Sequence, residues 1–233
     1  MTMLMTNIRD FAISLTLAAG VVLGVAAIAS TDTRDTTRRG EVNCANLVYA
    51  NGKTSQCFAS EFMAEVERET NIATSRGFQE VALDSPDLFE HPFAVMTGEG
   101  AFVLTETQRS YLRDYLSGGG FLVASAGCSS RPWADSFRRE MLQVLPDAEM
   151  ITLDMAHPIF HTVYDINTLT KKSGSDRTSL EGIEIDGRIV CVFSSDGLND
   201  TANAGGSCCC CGGNEIKNAR QVNVNLLAYA LTH

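Results

Sequence analysis

The sequence predicts a doubly wound α/β domain: a mainly parallel sheet between two helical layers, closed by a C-terminal antiparallel hairpin. Three observations carry this reading. Residues 93–128, FAVMTGEGAFVLTETQRSYLRDYLSGGGFLVASAGC, read as strand, glycine turn, helix, triple glycine and second strand. Such a strand–helix–strand unit makes a parallel pair. Residues 183–193 alternate around Asp186-Gly187, a strong hairpin signal. Residues 222–231 are apolar enough for a terminal helix that docks on the sheet.

Residues 43–50 form a first strand, ended by Asn51-Gly52. A helix over residues 60–70 places Phe62, Met63, Val66 and Ile72 inward. Glu61, Glu65, Glu67 and Glu69 give that helix a solvated acidic face. Residues 78–83 alternate as a strand, and Asp84-Ser85-Pro86 turns the chain. In the central unit, Thr105 and Gln108 have capping-box spacing. Tyr111, Leu112, Tyr115 and Leu116 form its apolar face. Gly118, Gly119 and Gly120 stop the helix through the left-handed conformation open to glycine.

Ser130 is the candidate N-cap of the next helix, with Pro132 in its first turn. Trp133, Phe137, Met141, Leu142 and Leu145 supply its apolar face, and Pro146 ends it. Residues 150–153 are a short strand. Residues 154–167 are an irregular connector with two of the four histidines, and residues 169–179 a polar, mobile loop.

Residues 11–29, FAISLTLAAGVVLGVAAIA, are uncharged and end in Ala27-Ile28-Ala29, a small-x-small cleavage pattern. They read as a secretory signal peptide, which makes the protein exported, periplasmic or extracytoplasmic. The alternative is an N-terminal membrane anchor, since the run approaches the length of a span. Arg34, Arg38 and Arg39 follow it while only Arg9 precedes it, an awkward charge bias for that alternative. Residues 30–41 are a flexible linker, and residues 42–233 a single α/β domain. A net charge of −10 argues against nucleic acid as a partner. Membrane contact is confined to residues 11–29, if they are uncleaved.

The central unit, together with the later "HPIF", "LEGIEIDGRIVCVFSSDG" and "NVNLLAYALTH", resembles a bacterial family of domains of unknown function. That family is related to ThuA-like proteins and, more distantly, to class I glutamine amidotransferases. The resemblance implies a flavodoxin-like three-layer sandwich and no established activity.

In such sheets ligands sit outside the strand carboxyl ends, at the switch point of the strand order. Those ends offer Asn51, Thr97, Glu99, Ser125, Cys128, Asp154 and Asp196, and Gly98, Gly100 and Gly127 would admit a ligand close to the backbone. The ligand-binding candidates are Thr97, Gly98, Glu99, Gly100, Ser125 and Asp196. The glycine turn is too short for a dinucleotide or phosphate-loop fingerprint, and a plain tight turn explains it as well.

Cys128 is the catalytic candidate, placed between strand and helix where amides favour a thiolate. Amidotransferase nucleophiles resemble Gly-x-Cys-x-Gly. Here the residues are Ala126-Gly127-Cys128-Ser129-Ser130, and the downstream His-x-Glu pair is missing; His157 and His161 are followed by Pro158 and Thr162. A structural or disulfide-bonded cysteine is the competing reading. Cys208 to Cys211 are four in a row, followed by Gly212-Gly213. Cys208 and Cys211 have the C-x-x-C spacing of a zinc site, with His157 and His161 as the remaining donors. Disulfides to Cys44, Cys57 or Cys128, a Cys44–Cys57 pair, or an unpaired reduced loop are the alternatives. Cys191, in an apolar strand, reads as core.

Two functions follow. One is an exported binding or assembly module for a small ligand or protein partner. The other is a hydrolase-like or metal-assisted enzyme using Cys128 or a Cys/His site. The missing triad favours the first.

Overall fold

A computed structural model describes residues 40–54, 58–200 and 215–233. The signal, linker, Cys57 and Cys208–Cys211 readings lie outside the described residues.

The first strand, β1 (Val42–Val48), buries its centre. It leads into α1 (Glu61–Glu69), whose Phe62, Met63 and Val66 point inward. The chain returns as β2 (Thr74–Ala82), parallel to β1. Ser85 accepts a hydrogen bond from Asp87 N and starts a short 3-10 turn, Pro86–Glu90. Next come β3 (Phe93–Gly98), α2 (Glu106–Ser117) and β4 (Phe121–Ala126). Both strands are buried throughout and run parallel in register, Phe93 opposite Phe121.

From β4 the chain enters α3 (Arg131–Val144) and crosses to the far edge of the sheet. There β5 (Met150–Thr152) pairs antiparallel with β6 (Glu181–Ile185). The β6 strand pairs antiparallel with β7 (Arg188–Ser194), which is parallel to β4. Helix α4 (Ala219–Thr232) ends the fold. The seven strands lie in the order β2-β1-β3-β4-β7-β6-β5. This is the expected mainly parallel, flavodoxin-like sheet with its antiparallel part at the C-terminal end.

The helices divide between the two faces. Helices α1 and α4 cover the face carrying Phe93, Val95, Phe121, Val123 and Val192. Helices α2 and α3 cover the face carrying Ala94, Met96, Leu122, Ala124 and Phe193. The alternation along each strand puts successive residues into opposite cores. Cys44 and Cys191 are buried, and burial pushes the Cys44 thiol up to about 12 and raises that of Cys191 further. Among the described residues no helix is long and apolar enough to cross a membrane.

The local chemistry behaves as its residue types require. Thr105 Oγ1 accepts from Gln108 N, and Gln108 Oε1 accepts from Thr105 N, which completes the capping box. Asp186 and Gly187 have φ of 50° and 82°, both positive as a type I′ hairpin turn needs.

Four expectations need correction. The glycine stop uses the left-handed conformation once, at Gly119 (φ 99°). Gly120 is required for another reason: a Cβ there would lie 2.4 Å from the Tyr115 ring. Glu65 belongs to no solvated face, because it is only 8% exposed and accepts from the Tyr164 hydroxyl. Glu67 is half-buried and holds Thr74 N and Arg76. Leu142 is 64% exposed; the inward stripe of α3 is Trp133, Phe137, Met141 and Val144. The polar loop after residue 169 is tied down: Lys171 pairs with Ile216, Lys172 N donates to Glu215 O, and Lys217 N donates to Thr170 O.

Candidate functional site

The order β2-β1-β3 means that the chain leaves β1 toward one side and β3 toward the other. Their following loops must part, and a crevice opens between them at the carboxyl ends. A cavity of about 350 Å³ lies there, lined by Ala50, Asn51 and Lys53 after β1, Ala101, Phe102 and Val103 after β3, and Arg139 from α3.

The turn after β1 is tight because three consecutive residues are left-handed, Ala50 (φ 42°), Asn51 (φ 62°) and Gly52 (φ 88°). Tyr49 and Lys53 exchange both backbone hydrogen bonds, at 2.9 and 2.7 Å. This closes the turn and projects Lys53, whose Nζ donates to Glu99 O at 3.2 Å. Opposite, Arg139 Nη2 donates to Ser136 Oγ at 2.9 Å and to Phe102 O at 3.4 Å. Ser136 Oγ also accepts from Phe102 N, which fastens the loop after β3 to α3.

Most residues singled out from the sequence lie at this end of the sheet, yet their polar atoms hold the fold together. Thr97 O accepts from the Tyr49 hydroxyl at 3.0 Å, and that hydroxyl accepts from Trp133 Nε1 at 2.5 Å. Burial pushes the Tyr49 phenol up to about 12, against the opposing effect of the Trp133 bond. Gly98 makes room for this pair, since a Cβ there would lie 2.5 Å from the Tyr49 hydroxyl. Gly100 (φ 70°) turns the chain, and its N–H donates to Ser130 Oγ. Ser130 therefore serves the β3 loop and makes no side-chain cap on α3. Glu99 is exposed, with its Cγ lying over Gly127.

Ser125 Oγ accepts from Leu198 N at 2.9 Å and Ser194 Oγ from Gly197 N at 3.0 Å, so two neighbouring strands hold the segment after β7. Asp196 is occupied by Lys171 at 3.1 Å and Thr178 at 2.5 Å. Asp154, after β5, caps its own turn by accepting from Ala156 N.

Cys128 is half-buried between β4 and α3, and its backbone is left-handed (φ 48°, ψ 33°). Ser129 follows with φ 52°, its Oγ donating to Asp196 O at 2.8 Å. All four histidines are among the described residues. His91 precedes β3, at the amino end of the sheet. His157 lies tilted beside Tyr229, which packs on Phe121 at the start of β4, and His233 stacks on the same tyrosine. His161 is on the connector beside α4. The fold therefore brings Cys128 no imidazole in the manner of a Cys–His pair.

His157 Nδ1 accepts from Ile159 N. Both ring nitrogens of His161 are engaged, Nε2 with Met155 O at 2.7 Å and Nδ1 with Asp165. Cys208 and Cys211, the other zinc candidates, lie outside the described residues. Among the described residues no group of three or more His, Cys, Asp or Glu is arranged to hold a metal.

The His161 contacts set a pH dependence. The Met155 carbonyl, then the Asp165 carboxylate, favour the imidazolium and raise its pKa above the usual value. A group raised on folding stabilises below its unfolded pKa and loses that contribution as pH rises through the folded one. His161→Gln should therefore cost more stability at about pH 5.5 than at about pH 8.5, as urea titrations at the two pH values would measure. An equal cost at both would refute the assignment.

A family model described as a domain of unknown function, DUF4159, matches residues 43–231. The chain belongs to that family. No curated protein matches it. In this DUF4159 domain, most site candidates read from the sequence lie at the same end of the sheet as the cavity, and the two cations lining it were not among them. Lys53 follows the Asn51-Gly52 turn already identified, and a cation just past the first parallel strand is a usable signal. Arg139 had none, because only the packing of the β3 loop onto α3 brings it to the crevice.

Proposed function

We propose that this DUF4159 domain is an exported, non-catalytic binding or assembly module whose ligand enters the crevice between the β1 and β3 loops. The observation that carries the reading is the open cavity at the switch point, whose two cations bond to neutral acceptors only, Lys53 to Glu99 O and Arg139 to Ser136 Oγ and Phe102 O. Around it, the Thr97 carbonyl, Ser125 Oγ and the Asp196 carboxylate are engaged in internal bonds. The strand order supports the proposed kinship with ThuA-like and amidotransferase-like proteins. Export rests on the apolar run at residues 11–29 and its Ala-x-Ala end.

The second reading, a hydrolase-like enzyme, draws on one observation: the left-handed backbone of Cys128 at a strand-to-helix turn, a conformation that clusters at functional sites. The absence of an imidazole beside it favours the binding module.

A small-molecule library screened by ligand-observed NMR against the full chain separates the two. The expected result is a saturable binder that Ala101→Trp, which fills the cavity, abolishes and Cys128→Ser leaves intact. Turnover of a bound compound that Cys128→Ser abolishes would replace the binding reading with the enzymatic one. Binding indifferent to Ala101→Trp would place the ligand elsewhere and refute the crevice.

A further inference from the structure

We infer that the ligand of this crevice carries an oxyanion, a carboxylate or a phosphate, received between Lys53 and Arg139. The inference rests on the crevice reading above and adds the ligand's chemical class.

The chain has a net charge of −10, so its cations have many carboxylates to choose from. Where other clefts contain an arginine, the fold has mostly neutralised or spent it. Clefts of about 410 and 470 Å³ open between α3 and the β5–β6 side of the sheet, and one of about 730 Å³ beside β2. In the first, Arg138 pairs with Glu181 at 2.5 Å. In the second, Arg113 donates to the carbonyls of Val144 and Gln143, at the end of α3. In the third, Arg76 pairs with Glu67.

The switch-point crevice differs. Among the described residues neither Lys53 nor Arg139 has a carboxylate within ion-pair distance. Their partners are a backbone carbonyl for Lys53, and a hydroxyl and a carbonyl for Arg139. These acceptors orient the side chains without cancelling their charge. The neighbouring acids are directed elsewhere. Asp135 approaches Arg138, Glu140 pairs with Arg109, and the Glu99 side chain lies over Gly127.

A guanidinium offers a planar fork to an oxyanion, and an ammonium adds a mobile point charge. Arg139 is exposed and Lys53 half-buried, so binding should be modest and fall with added salt. The remaining wall is apolar: Phe102 is buried and Val103 is 64% exposed. The cavity, near the lower end of the roughly 300–1,000 Å³ typical of ligand pockets, therefore suits a compact anion with a short hydrocarbon part.

The test uses the full chain, nitrogen-15 labelled and titrated at low salt with butyrate, inorganic phosphate and the neutral isostere butyramide. The expected result is saturable shifts at Lys53, Arg139 and the Asn51 turn with at least one anion. Lys53→Gln and Arg139→Gln should each weaken that anion about five- to tenfold, while Arg139→Lys, which keeps the charge and loses the fork, weakens it less than Arg139→Gln does. Butyrate and phosphate used in separate arms tell a carboxylate ligand from a phosphate one. Arg139 is exposed and Lys53 half-buried, and an unchanged amide spectrum verifies the fold of each variant. Three results would overturn the inference: no binding by either anion, equal binding of butyramide, or anion binding that neither glutamine variant weakens. Butyramide binding that Ala101→Trp removes would sink the anion and leave the crevice standing. Failure of every library compound at this site would sink both.

Discussion

Trp133→Ala is expected to destabilise the domain by about 3–5 kcal/mol, the usual cost of truncating a fully buried aromatic side chain. Trp133 has no exposed surface. Its indole stacks on Phe137 at 5.4 Å, tilts against Phe102 at 5.5 Å and lies 6.3 Å from Phe193. It thereby joins α3, the β3 loop and β7. Its Nε1 also donates to the Tyr49 hydroxyl, which continues to Thr97 O. Trp133→Phe isolates the polar part. It keeps most of the packing and removes one donor, a change worth about 1 kcal/mol. Urea denaturation followed by circular dichroism reads both. A loss below about 1 kcal/mol for the alanine variant would contradict the central position given to this residue.

The second large effect is expected from Arg109→Ala. Arg109 on α2 meets Glu140 on α3 at 2.9 Å, with side-chain exposures of 14% and 2%. Removing the cation strands a buried carboxylate, which costs about 3–5 kcal/mol. Replacing both residues by leucine should recover most of the loss, because the pair itself repays little more than its own desolvation. A double-mutant cycle in urea gives the coupling. An Arg109→Ala variant as stable as the parent would mean that water reaches Glu140 and that the two helices are not sealed there.

How far these features could be read beforehand depended on how local their causes are. The capping box of Thr105 and Gln108, the Asp186-Gly187 turn and the buried strands β3 and β4 are set by neighbours in the chain, and each was legible. Leu142 was misplaced because helical periodicity defines a stripe but not its edges. Glu65 was misplaced because its partner, Tyr164, lies 99 residues away. Gly98 was read as room for a ligand beside the backbone, but a group of the protein itself takes that space. That group is the Tyr49–Trp133 pair, which no spacing rule reveals. The crevice was foreseen through topology, since the strand order determines where loops diverge. Of its lining Asn51 was named and the two cations were not, because Lys53 and Arg139 converge only after the β3 loop has folded onto α3.

Gln108 Oε1 accepts two backbone donors, Thr105 N at 3.2 Å and Ala50 N at 3.3 Å. One buried oxygen thus serves as cap for α2 and as latch for the turn after β1. A Gln108 side chain that swings away loosens both at once, which couples the two segments. In hydrogen-exchange terms, the amides of Ala50 and of the first turn of α2 are expected to gain or lose protection together. An occupant that braces the turn would slow exchange in a helix it never touches.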